Sequence, residues 1–83
     1  MLDIRNNKLG NSCTFHLKTL LHLQELSISK NSIGLEGVRN ITTLSCLHYL
    51  DLTTNQVGDD GVELLVSLER LTHLYLMSNP ITA

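Results

Sequence analysis

The chain has 83 residues, 42% hydrophobic and 17% charged, with a formal net charge of −2 at neutral pH. A chain this short offers one small, marginally stabilised core, and its two cysteines, Cys13 and Cys46, are too few for a disulfide scaffold. The mild negative balance argues against a nucleic-acid binder or a polybasic membrane-surface protein, and no run approaches the roughly 18 apolar residues of a membrane helix.

The first segment, Met1-Leu2-Asp3-Ile4-Arg5, has no charged leader followed by an apolar run, so it does not read as a secretory signal. With the cysteine usage, this predicts a cytoplasmic, reducing setting, with secretion as an effector the alternative. Leu2 and Ile4 alternate with polar residues, as in a half-buried strand. The stretch around Thr14 to Leu20 follows and is expected to be less regular than its later counterparts. A second strand pattern comes at Leu26 and Ile28, and Val38, Ile41 and Leu44 then recur at helical spacing. Leu47-His-Tyr-Leu50-Asp-Leu52-Thr-Thr-Asn55 is the third strand, with Leu50 and Leu52 inward. Asp59-Asp60-Gly61 opens a second helical pattern through Val62, Leu65 and Leu68; the two acids suit a helix N-terminus. A fourth strand follows at Leu74 and Leu76. The sequon Asn40-Ile41-Thr42 matters only in a secreted protein.

These elements repeat every 24 residues. Asn7, Asn31, Asn55 and Asn79 keep that spacing, as do Leu2/Leu26/Leu50/Leu74, Ile4/Ile28/Leu52/Leu76 and Leu9/Ile33/Val57/Ile81. Shorter columns are Leu17/Ile41/Leu65, Leu20/Leu44/Leu68 and Leu23/Leu47/Leu71. Of the chain's 27 Ile, Leu and Val residues, 21 fall in these six columns, which leaves chance agreement negligible. One strand and one helix cannot bury their apolar faces alone, but stacked units share a continuous core.

Leu23-Gln-Glu-Leu26-Ser-Ile28-Ser-Lys-Asn31-Ser-Ile33-Gly34 and Leu47-His-Tyr-Leu50-Asp-Leu52-Thr-Thr-Asn55-Gln-Val57-Gly58 resemble the leucine-rich repeat family. Gly37 and Gly61 three residues on are similar to its helical variant, known from bacterial effectors and eukaryotic intracellular proteins. The resemblance implies an α/β solenoid over residues 1–83, about three and a half repeats, either a fragment or uncapped. It places a parallel sheet on the concave side and helices on the convex side. It also implies that Asn7, Asn31, Asn55 and Asn79 form a structural ladder, each amide bonding backbone groups at the bend after its strand. An unpaired buried amide would cost about 1–3 kcal/mol, which favours that arrangement. The first repeat departs from the pattern, since Cys13 stands where Gly37 and Gly61 stand.

Residues between the inward leucines project from the sheet in three columns. They are Met1/Glu25/Tyr49/His73, then Asp3/Ser27/Asp51/Tyr75, then Arg5/Ser29/Thr53/Met77. Such positions are free of core duty, so Glu25, Tyr49, Asp51, Thr53, His73, Tyr75 and Met77 are the candidate partner-binding residues. The alternative is a plain solvated sheet face. The expected function is recognition of a protein partner; the alternative is a self-assembling unit joined through exposed terminal strands. No metal or cofactor is expected: His22 and Cys46 occupy equivalent repeat positions, but two ligands make no site. Cys13 and Cys46 differ in repeat position, which argues against a disulfide between them. Catalysis is not expected either. Asp51, His73 and Ser27 form a nucleophilic set only on paper, on an open face without a nucleophile motif. Gly34-x-x-Gly37 and Gly58-x-x-Gly61 lack the Lys-Ser/Thr of a phosphate loop. Leu64 and Val66 are expected on the outer helix surface.

Overall fold

The computed structural model describes residues 2–3, 10 and 12–81, apart from the side chains of residues 12, 13 and 16. Four strands, β1 (Leu2–Asp3), β2 (Glu25–Ser27), β3 (Tyr49–Asp51) and β4 (His73–Tyr75), alternate with three helices, α1 (Ser12–Leu17), α2 (Leu35–Ile41) and α3 (Asp59–Leu65). The strands form one parallel sheet in chain order, so each repeat lies on the one before it. The register is the sequence period: Leu26 pairs with Leu50, and Leu50 with Leu74. The helices stack in the same order, α1 on α2 and α2 on α3. The result is an α/β solenoid with an open sheet.

The core lies between sheet and helices, and the repeat columns fill it. Leu26, Ile28, Ile33, Val38, Ile41, Leu44, Leu47, Leu50, Leu52 and Val57 are fully buried, with Leu65 and Leu68 nearly so. Each such side chain contributes about 1.5–3 kcal/mol by leaving water. Burial therefore concentrates in the middle repeats, which have a neighbour on both sides. On β4 all three residues are exposed, including Leu74.

The first repeat forms a helix, α1, one residue shorter than α2 and α3. Two local expectations are corrected. The helical spacing through Leu44 and Leu68 outlasts the helices, which end at Ile41 and Leu65. Beyond those ends the chain turns tightly, with Leu44 N–H donating to Ile41 O at 2.9 Å and Leu68 N–H to Leu65 O at 3.0 Å. Those turns keep Leu44 and Leu68 pointing inward, so apolar spacing alone does not mark where a helix stops. Leu64 is not on the outer surface: it is half-buried and packs on the core, while Val66 is exposed.

At the start of α3, Asp59 and Asp60 occupy the first turn, where free amides and the helix dipole favour carboxylates. Gly61 follows because the helix passes close to the bend after β3. A Cβ there would lie 2.9 Å from Val57 Cγ1 and 3.6 Å from Val38 Cγ2.

Candidate functional site

The asparagines hold the bends that carry the sheet face. Asn55 is 3% exposed. Its Oδ1 accepts from the N–H of Asn31 at 3.0 Å and of Ile33 at 2.9 Å, one repeat earlier. Its Nδ2 donates to Leu52 O at 3.0 Å and across the repeat boundary to Ile28 O at 3.2 Å. Asn79 repeats this on the next bend, accepting from Asn55 N–H at 3.2 Å and Val57 N–H at 3.0 Å and donating to Leu52 O at 2.8 Å. Asn31 Nδ2 donates to Ile28 O and Ser29 O, both at 3.0 Å. The Asn55 and Asn79 amides thus each satisfy backbone groups of two repeats at once. Asn7 lies outside the described residues.

The residue before each of these asparagines is left-handed. Lys30, Thr54 and Ser78 have φ of 59°, 57° and 60°, a region costly for residues with a Cβ and most so for a β-branched one. Nothing in the side chains marks these positions. The geometry comes from the bend, where Lys30 N–H reaches Thr53 O at 3.0 Å and Thr54 N–H reaches Met77 O at 2.8 Å.

On the sheet face away from the helices, the register sets Glu25 beside Tyr49 beside His73, and Ser27 beside Asp51 beside Tyr75. Three rings gather there. The Tyr49 and Tyr75 centroids are 5.5 Å apart with planes inclined by 55°, and those of Tyr49 and His73 are 6.0 Å apart at 35°. Both separations suit attractive tilted ring contacts. Glu25 Oε2 is 3.8 Å from His48 Nε2, and Asp51 Oδ1 accepts the Thr53 N–H at 3.0 Å. His73 Nδ1 lies 3.0 Å from Thr72 Oγ1. Met77 and Tyr75 are exposed, Thr53 is half-buried, and Ser27 and Ser29 are buried to 4% and 8% exposure. The face is therefore uneven, with buried serines on and just after β2 beside an aromatic cluster across β3 and β4. Sequence columns show which residues share the face; they do not show that three of them touch.

The paper triad does not assemble. Ser27 is on β2 and His73 on β4, two strands and two residues away, or about 12 Å at ordinary sheet dimensions. Among the described residues no three His, Cys, Asp or Glu side chains converge as a metal site would require. Cys46 is a free, half-buried thiol with Arg70 Nη1 3.9 Å from its Sγ. The side chain of Cys13 lies outside the described residues. Asn40 of the sequon donates its amide to the buried Thr14 hydroxyl at 3.1 Å. Among the described residues no helix is long and apolar enough to cross a membrane.

The family model described as Leucine Rich repeat matches residues 19–41 and 43–66, more than half of the chain. The chain belongs to the leucine-rich repeat family. Each match runs from the turn before a strand to a helix or its end, which is the repeating unit of the structure. Leucine-rich repeats are commonly protein-interaction modules and in general not catalytic. No curated protein matches the chain.

Proposed function

We propose that this leucine-rich repeat chain recognises a protein partner on the sheet face, with Glu25, Tyr49, Asp51, Thr53, His73, Tyr75 and Met77 as the contact residues. The observation that carries this is the cluster of Tyr49, His73 and Tyr75 rings, on a face whose residues the core does not use. Amphipathic rings supply contact area with little conformational entropy to lose, and tyrosine is enriched among interface anchors. The setting we favour is a reducing compartment, on the cysteine usage. The test is parallel capture of partners by the wild-type chain and by the double variant Tyr49→Ala with Tyr75→Ala. The variant is expected to lose its partners while its thermal unfolding stays nearly unchanged. Equal capture by both proteins would move the site to the helices.

A self-assembling role has one observation in its favour. β4 is an edge strand, and Val62, Leu65, Val66, Leu68, Leu71 and Leu74 line an apolar recess beside it. Free strand amides next to apolar side chains invite pairing with another chain.

A further inference from the structure

The sheet face carries a motif that occurs twice. Glu25 on β2 is the register neighbour of Tyr49 on β3, and Asp51 on β3 is the register neighbour of Tyr75 on β4. Each tyrosine thus has a carboxylate one strand away, at the usual strand spacing of about 4.8 Å. The second pair is the first displaced by one strand and two residues, an offset of roughly 8 Å from standard sheet dimensions. The two ring centroids are 5.5 Å apart, so the pairs adjoin rather than stand apart.

Among the described residues, the charges on this face are of one sign. Asp3, Glu25 and Asp51 stand in the first two columns, and no Lys or Arg stands in the three columns among the described residues. Arg5 belongs to the third column by sequence and lies outside those residues; Lys30 sits in the bend after β2. His48 is close to Glu25, whereas Asp51 accepts from a backbone amide, that of Thr53.

We propose that this face holds an extended, arginine-bearing segment of a protein partner, with one guanidinium at each carboxylate–tyrosine pair. The proposal rests on the sheet face being the binding surface and adds the chemistry of what it holds. A guanidinium is planar and weakly hydrated, so it stacks on a tyrosine face while its edge donates to a neighbouring carboxylate. Lysine offers a point charge without that fork. An apolar partner would desolvate Glu25 and Asp51 without pairing them, and an acidic one would be repelled by them. Alternate residues of an extended chain point to one side about 6.6–6.8 Å apart, which long arginine side chains can match to the offset of roughly 8 Å.

Fluorescence anisotropy with the full chain tests this, using labelled peptides that alternate serine with arginine, lysine, tyrosine or glutamate. The arginine peptide should bind tightest and the glutamate peptide weakest, and the arginine affinity should fall as salt rises. Asp51→Asn and Tyr75→Ala should each weaken the arginine peptide about fivefold. Glu69→Gln, which makes the same charge change in the turn between α3 and β4, should leave it within about twofold. Circular dichroism confirms that each variant is folded. If the tyrosine peptide binds as tightly as the arginine peptide and Tyr75→Ala abolishes both, the face stands and its cationic preference is wrong. If Glu69→Gln weakens the arginine peptide as much as Asp51→Asn does, the attraction belongs to the whole chain and the face itself is wrong. No measurable binding of the arginine peptide also overturns the proposal.

Discussion

Asn55 shows what a single side chain does in a stacked fold. Its one oxygen takes two backbone N–H groups of the preceding repeat, and its nitrogen serves carbonyls on both sides of the boundary. Asn55→Ala strands those buried groups at about 1–3 kcal/mol for each one left unsatisfied. We expect a loss of about 3 kcal/mol, read as a lower denaturant midpoint. Asn79→Ala should cost less, about 1–2 kcal/mol, because Asn79 is only half-buried and water reaches its partners. The opposite ranking would mean that these amides do not hold the stack. Thr54 points the other way. It is an exposed β-branched residue held at φ 57°, so Thr54→Asn should stabilise the chain by about 0.5–1 kcal/mol, since asparagine tolerates the left-handed region. Thermal unfolding of that variant at or below the wild-type midpoint would show that the bend carries no strain there.

At the scale of elements, the decisive contacts are between a helix start and the bend before it. Gly61 lies in α3, where alanine normally gains up to about 1 kcal/mol in helix propensity. Against that gain, a Cβ would meet the Val57 methyl at 2.9 Å, and Val57 is fully buried and stiff about its own branch. Overpacking of this kind costs about 1–3 kcal/mol, so the clash wins and Gly61→Ala should destabilise by about 1–2 kcal/mol net. Chemical denaturation that found the variant more stable would mean the helix can slide away from the bend. The short helices themselves, six or seven residues each, are too brief to persist alone. They exist because Val38, Ile41 and Leu65 are buried against the sheet.

Over the whole molecule, stability comes from neighbouring repeats and thins toward the edges. The core cluster is fully buried around β2 and β3, while β4 exposes Leu74 at 37% beside a free strand edge. If that edge pairs with a second copy, light scattering over a dilution series should show association at high micromolar concentration. A monomer throughout would remove self-assembly from consideration. The aromatic face and the strand edge share β4, so pairing at that edge would bring a second copy beside His73 and Tyr75.

The 24-residue spacing of Leu26, Leu50 and Asn55 was enough to set the period, the strand register and the inward columns. The physical reason is that every stacked unit meets the same neighbours, so each must place an apolar side chain, or a satisfiable amide, at the same offset. The outward columns were equally legible, since alternation in a strand leaves them no other side. What the sequence could not carry were distances and local conformations that no residue type demands. The left-handed backbone at Thr54 is imposed by hydrogen bonds to residues 24 or so positions away, not by any preference of threonine. The inward seats of Leu44 and Leu68 are kept by turns after the helices stop, and Leu64 packs inward because α3 ends beside the core. The meeting of Tyr49, His73 and Tyr75 likewise depends on ring orientations across three strands, which only the packed sheet decides.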